Sequence, residues 1–216
     1  MATEKRTPQK TPGYASTKVQ KNDNFNLPIA MYYDSVYFLE LARDKTHEPF
    51  TNNEERCLRS ALYSGFGFFE ATLNRTALGH AQAHRKILPQ AEVDILEEKE
   101  TILSGNGHIV RKTRFYPLET RVSFLTLFLS GKDFNRNSAL WHRFIKAKEL
   151  RDTWTHPKPP FDTWSLTLDK VEKAIKTLYE MLVEISNLME IEPPSWMMPF
   201  DKLVNETRKS RLHRQL

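Results

Sequence analysis

Arg151 and His156 are the two residues of this chain whose types and spacing best fit chemistry on a charged substrate. They lie in the segment KELRDTWTHP, at the predicted end of a helix. Leu140, Phe144 and Ala147 recur at helical steps and define the inward face of that helix, and one further step reaches Arg151. Because burying an unpaired guanidinium is costly, Arg151 is expected to meet a carboxylate or to face a cleft that binds an anion.

The proline that follows His156 alters the direction in which its imidazole leaves the helix. Pro157 disfavours the helical conformation of the preceding residue, so His156 is predicted to turn back toward Arg151. The helix dipole favours the protonated ring whereas nearby cations favour the neutral ring, and this balance suits an acid/base catalyst near neutral pH. The planar guanidinium would hold a phosphate. In the alternative interpretation Arg151 pairs with Glu70 or Asp152, and His156 only caps the helix.

An earlier helix supplies two further polar candidates. Glu70 lies among core-type residues, where carboxylates seldom stay unpaired, so it is expected to orient Arg151 or His156. A purely structural ion pair is the alternative role for Glu70. Asn74 follows one turn later and is expected either to hydrogen-bond into the same cluster or to tie helices together.

The two segments together resemble a known family. The stretch from Arg151 to His156 fits the R-x4-H motif of HEPN domains, which are all-α bundles in which a polar residue, here Asp152, commonly follows the arginine. The segment FEATLN, which contains Glu70 and Asn74, resembles the E-A-x-x-N helix of bacterial HEPN-like proteins. The resemblance covers about residues 27–189.

This resemblance implies metal-independent RNA cleavage at a site that two protomers share. The nucleophile would be the 2′-hydroxyl of the RNA, so a base and an acid are needed, and a twofold dimer would supply two His156 rings and two Arg151 guanidinium groups. DNA should not be cut, and no cofactor or metal ion is expected. The basic residues expected to contact RNA are Arg143, Lys146, Lys148 and Lys158.

The expected partners are a second copy of the chain, the RNA substrate, and an antitoxin or activating protein, in a role in toxin function or antiviral defence. The alternative is a catalytically silent HEPN-like interaction module that binds a protein partner or RNA. Cleavage in the presence of a chelator separates the two.

Hydrophobic periodicity predicts an all-α bundle that would position these residues. Residues 108–115 are compatible with one strand of a short hairpin, and Gly65 and Gly67 are expected to permit close approach of another helix. Helices are predicted from Pro28 to about Asp44, from Thr51 through Leu78, over Ala91–Ser104 and Leu118–Leu129, from Ser138 to Pro157, and over about Leu168–Glu190.

The net charge of +5 in 216 residues belongs mainly to the two ends of the chain. Residues 1–26 and 201–216 each contain five basic and two acidic residues, and short blocks of this kind are usually solvated. The chain is therefore divided into a disordered basic arm at 1–26, a helical domain at 27–192 and a C-terminal extension with a basic tail at 193–216. In this extension Trp196, Met197, Met198 and Phe200 are expected to pack back onto the bundle, with docking of a partner as the alternative.

Other features limit the location and the chemistry. The longest apolar run, Val122–Leu129, is far too short to span a bilayer, and residues 1–26 lack the apolar core of a secretory signal, so a cytoplasmic protein without membrane contact is expected. Cys57 is the single cysteine, which fits a reducing compartment. His80 and His84 have the spacing of metal ligands on a helix, but no cysteine cluster supplies further ligands, so a metal site is not expected.

Overall fold

The computed structural model describes residues 26–44, 53–155 and 166–214, which form seven α-helices and one antiparallel hairpin. This architecture confirms the all-α prediction with a short hairpin inserted. The helices are α1 (Leu27–Arg43), α2 (Asn53–His84), α3 (Gln90–Leu96), α4 (Leu118–Ser130), α5 (Ala139–Thr155), α6 (Leu168–Leu188) and α7 (Phe200–Arg214), and the strands are β1 (Lys99–Leu103) and β2 (Ile109–Thr113).

The long helix α2 runs through the centre of the bundle and packs against α1 and α6. The Tyr32 ring of α1 stacks on the Phe68 ring of α2 with 4.5 Å between their centroids, and both side chains are fully buried. Gly65 and Gly67 allow this packing, as the sequence predicted. A β-carbon at Gly65 would lie 3.1 Å from Ile175 on α6, and one at Gly67 would collide with the Met31 side chain on α1.

Local signals set most of the helix ends. Ser138 caps α5, because its hydroxyl accepts a hydrogen bond from the Trp141 N–H at 3.1 Å. Gly131 ends α4 with a φ of 69°, a conformation that glycine adopts without strain. Thr51 and Pro157, which were expected to start α2 and stop α5, lie outside the described residues.

The structure corrects the predicted helix over Ala91–Ser104. Helix α3 ends at Leu96, Glu98 adopts a φ of 50°, and the chain continues as β1, which pairs with β2. The prediction was wrong because the β-branched Thr101 and Ile102 precede a glycine-rich turn and form a ladder with β2. The Asp94 carboxylate joins α3 to both strands by accepting hydrogen bonds from Thr101 and Arg111.

The basic C-terminal segment is a packed helix, which corrects the expectation of a solvated tail. Helix α7 contributes Phe200 and Leu203 to the core, so the expectation for Phe200 is confirmed. Its Arg208 donates hydrogen bonds to the buried Glu40 carboxylate of α1 at 3.0 and 3.2 Å, and its Arg211 donates to Asp44 at 2.9 Å. The apolar stripe of α7 and these ion pairs hold the segment against α1, because its positive charges find carboxylates on the bundle.

The basic arm predicted at residues 1–26 lies outside the described part of the chain, except for its last residue, Asn26. Within the three described ranges, no helix combines the length and apolar character that crossing a bilayer requires.

Candidate functional site

The inward face of α5 continues from the core to Arg151, as the spacing predicted. Phe144 is fully buried, and its ring lies 5.5 Å from the Phe69 ring of α2, centroid to centroid. Ala147 is also buried one turn later. The next turn brings Arg151 to α2, with 21% of its side chain exposed. A single helix face thus passes from a sealed core to a partly exposed guanidinium.

Two carboxylates hold the Arg151 guanidinium. Its Nη1 donates to Glu70 Oε1 at 2.5 Å, and its Nε and Nη2 donate to Asp152 Oδ1 at 3.0 and 2.8 Å. The guanidinium carbon lies 4.7 Å from the centroid of the Phe66 ring, which is a cation–π distance. The remaining N–H groups of Arg151 make no hydrogen bond to any residue that the structure describes. The expectation that Arg151 meets a carboxylate is confirmed with both predicted partners.

Lys148 extends this cluster toward α4. Its Nζ donates to Asp152 Oδ2 at 2.9 Å and lies 3.7 Å from Glu119 Oε2. Burial tends to raise the pKa of Asp152, but the hydrogen bonds from Lys148 and Arg151 outweigh burial and lower it. The hydrogen bond to Asp152 raises the pKa of Lys148. We call these five charged residues, Glu70, Glu119, Lys148, Arg151 and Asp152, the Arg151 cluster.

Acid is expected to weaken the Arg151 cluster through Asp152. Because the pKa of Asp152 is lower in the folded chain than its ordinary value of 3.8, the unfolded state binds the proton more tightly. The contribution of Asp152 to stability is therefore complete above the ordinary pKa and is lost as the pH falls through the lower folded value. Urea unfolding at neutral pH and at about pH 3 measures how much the free energy of unfolding falls in acid. This fall should be smaller in Asp152→Asn than in the parent chain.

The exposed Asp133 provides the matched control for that measurement. Asp133→Asn removes a carboxylate without touching the cluster, so its acid loss should equal that of the parent. If the free energy of unfolding falls in acid by the same amount in Asp152→Asn, in Asp133→Asn and in the parent, Asp152 does not stabilise the fold through its lowered pKa.

Asn74 takes the second of its two predicted roles, since it ties helices together. Its amide oxygen accepts a hydrogen bond from the Arg121 guanidinium of α4. Arg121 Nε also lies 3.2 Å from Glu98 Oε1. Among the described residues, Asn74 therefore connects α2 to α4 and makes no hydrogen bond with Arg151, although it lies one helical turn from Glu70 on α2. The geometry therefore does not favour the prediction that Asn74 supports the Arg151 site.

Arg143 and Lys146 lie on a different face of α5 from Arg151. Both are exposed, and they line a groove of about 750 Å³ between α5 and α6. Arg143 donates a hydrogen bond to Glu180 of α6 at 2.6 Å. Lys170 and Lys173 line the same groove from α6. The predicted RNA-contacting residues are thus divided: Lys148 belongs to the Arg151 cluster, whereas Arg143 and Lys146 line the groove.

His156 and Lys158 lie outside the described residues. Helix α5 is described through Thr155, whose hydroxyl donates to the Arg151 carbonyl at 2.9 Å. The Tyr63 hydroxyl of α2 donates to the Trp154 carbonyl at 3.1 Å. These contacts anchor the last turn of α5, and residue 156 follows directly in the sequence.

Sequence reasoning missed three contributors to this region, namely Tyr63, Phe66 and Glu119. Phe66 and Glu70 stand one helical turn apart on α2, so the same face of that helix approaches Arg151. That spacing could have identified Phe66. Nothing in the sequence points to Glu119, because it meets Lys148 only through the packing of α4 against the bundle.

The His80 and His84 rings lie 4.4 Å apart, centroid to centroid, with their planes tilted by 44°. Burial, and then the neighbouring His84, lower the pKa of His80. No group of three or more histidine, cysteine or acidic side chains suited to a metal ion occurs in the described ranges. The pair therefore has no further metal ligands in that part of the chain.

Comparison of the chain with family models, with curated proteins and with solved structures gives no match. The HEPN resemblance accordingly stays a prediction that rests on the residues quoted for it.

Proposed function

We propose that this protein is a metal-independent endoribonuclease whose site contains Arg151 and His156. The observation that carries the proposal is the Arg151 cluster at the end of α5. There Glu70 of α2 holds a partly exposed guanidinium at 2.5 Å, and Asp152 holds it at 2.8 and 3.0 Å. His156 follows Arg151 by five positions in the sequence. A charged group fixed in this way loses little conformational freedom when it binds a phosphate.

Arg151 would bind the phosphate of the scissile linkage. The N–H groups that make no hydrogen bond within the described residues would donate to its oxygens, while Glu70 and Asp152 keep the guanidinium in place. The ring of His156 would take the proton from the 2′-hydroxyl, and the 2′-oxygen would form a bond to phosphorus as the bond between phosphorus and the 5′-oxygen breaks, leaving a 2′,3′-cyclic phosphate. A second His156 from a twofold partner would protonate the leaving 5′-oxygen, so that the transfer is complete without a metal ion.

The experiment compares RNA cleavage by the purified full-length chain with cleavage by Arg151→Ala and His156→Ala, all in excess EDTA. Cleavage by the parent that survives chelation and is lost in both variants supports the proposal. The matching DNA strand should stay intact, because it lacks the 2′-hydroxyl. Mixed dimers of the parent and His156→Ala chains test the shared site, since they hold a single His156 ring and should cleave RNA much more slowly than the parent dimer.

The second candidate function is a catalytically silent interaction module that binds a protein or RNA. It is favoured by the charge of the Arg151 cluster: two cations face three carboxylates, so the cluster carries a net negative charge and its ion pairs have the structural role expected in a module that does not cleave RNA. The same assay separates the two functions. A folded parent chain that cleaves no RNA class but retains RNA in a binding assay, or binds a protein partner, supports the module.

The biological setting is part of the same proposal. A cytoplasmic enzyme of this kind would act in toxin function or antiviral defence, and an antitoxin or activating protein would control it. A twofold dimer through the motif helices would be its active form.

A further inference from the structure

A small apolar pocket lies where α2, α3 and α4 meet the segment after β2. Its volume is about 190 Å³. Ala77 comes from α2, Ile95 and Leu96 from α3, and Phe124 and Leu125 from α4. Protein interiors are close-packed, with few voids larger than a water molecule. A recess of this size between packed helices is therefore a candidate ligand site.

One edge of the pocket is polar but electrically balanced. Glu98 and Arg121 line this edge, and their side chains form an ion pair. Asn74 accepts a further hydrogen bond from Arg121. Glu98 adopts a φ of 50°, a conformation that a residue with a β-carbon adopts only when its surroundings impose it. Since the guanidinium is already held by a carboxylate and an amide oxygen, this edge favours no charged ligand.

We propose that this pocket binds a small uncharged aromatic molecule of one or two fused rings. A cavity of roughly 150 Å³ lined by leucine, isoleucine and phenylalanine holds benzene, so this slightly larger space suits one or two rings. Water gains few hydrogen bonds against such walls, and apolar rings displace it favourably. The Phe124 and Tyr116 rings offer aromatic contacts, and the exposed Thr120 also lines the pocket.

This site is independent of the proposed ribonuclease function. None of its lining residues belongs to the Arg151 cluster, so ligand binding is measured without RNA. Failure of one proposal leaves the other standing.

Indole is the probe for the first test, titrated into the full-length chain by isothermal calorimetry and by thermal unfolding. We expect saturable binding of one indole per chain and a rise in the melting temperature, because indole binds only the folded state. Ala77→Leu fills the pocket from α2 and should weaken indole binding at least about tenfold. Ala83→Leu makes the same change at an exposed position of α2 and should leave the affinity unchanged.

A second wall variant and a charged analogue of indole complete the test. If Ala77→Leu does not fold, Ile95→Phe fills the pocket from its half-buried wall and should weaken indole to a similar degree. Indole-3-carboxylate, which adds a negative charge, should bind more weakly than indole. The proposal is overturned by a parent chain without saturable indole binding, by unchanged affinity in a folded wall variant, or by equal or tighter binding of the carboxylate.

Discussion

Replacing Arg151 with lysine is expected to slow RNA cleavage by about 10²- to 10³-fold, the usual loss when one aligned donor to the reacting group is removed. Arg151 makes hydrogen bonds from three nitrogens to two carboxylates, and its planar shape allows it to face a phosphate at the same time. A lysine ammonium keeps the charge but cannot reproduce these directions. The measurement is the single-turnover rate of RNA cleavage in EDTA, with the enzyme in excess.

Arg75→Lys is the matched control, because it makes the same substitution at an exposed position of α2 outside the Arg151 cluster and outside the residues expected to contact RNA. Its cleavage rate should stay within a few-fold of the parent. Circular dichroism and urea unfolding show whether each variant is folded. If Arg151→Lys is folded and cleaves RNA as fast as the parent, the phosphate-binding role of Arg151 is wrong.

Ending the chain after Pro199 is expected to lower the free energy of unfolding by about 5 kcal/mol or more. Phe200, Leu203 and Val204 are buried at 3, 2 and 6% exposure, and each buried side chain of this size contributes roughly 1.5–3 kcal/mol. The truncation also removes the Arg208 partner of the buried Glu40 carboxylate. A loss of this size is comparable to the total stability of a small domain, so the shortened chain should be unfolded or close to it.

Urea unfolding followed by circular dichroism measures this loss. The control is the full-length double variant Lys202→Gln and Lys209→Gln, which reduces the charge of α7 at two exposed positions and leaves its apolar face intact. Exposed substitutions of this kind change stability by about 0.5 kcal/mol or less. A truncated chain that unfolds at the same urea concentration as the parent would mean that α7 contributes nothing to the fold.

The helices that were predicted correctly are those in which periodicity and end signals agree. Helix α4 lies between Pro117 and Gly131, and α5 begins after its Ser138 cap, so pattern and boundary select the same residues. Helix α3 was predicted too long because the segment around Ile102 suits a strand as well as a helix. Only its pairing with β2 decides between them.

Helix α7 was missed for a different reason. Its lysines and arginines dominate the composition of the tail. Of the short apolar stripe formed by Phe200, Leu203 and Val204, only Phe200 entered the prediction. That stripe has helical spacing and was the available signal. The carboxylates of Glu40 and Asp44, which turn the positive charge from a solvated feature into a packed one, lie more than 160 residues away in the sequence.

In the candidate site, too, local sequence patterns predicted some contacts but not those that depend on how the helices pack. The step from Phe144 through Ala147 to Arg151 predicted an inward-facing guanidinium, and the need to pair it predicted Glu70 and Asp152. The direction of Asn74 could not be predicted, because it depends on how α4 packs against α2. Local patterns specify the face of a helix, whereas tertiary packing decides which neighbour that face meets.

Helix α1 is synthesised long before the last helix that covers it. The Tyr32 hydroxyl donates to the Met198 carbonyl, and Glu40 pairs with Arg208, so these contacts join residues separated by 166 and 168 positions. At roughly 5–20 residues per second, the ribosome needs on the order of ten to thirty seconds to make that stretch. Throughout that interval the apolar surface of α1 that α7 covers stays exposed, and Glu40 has Arg43 but not Arg208 as a partner. We expect chaperones to bind this surface until α7 has been synthesised.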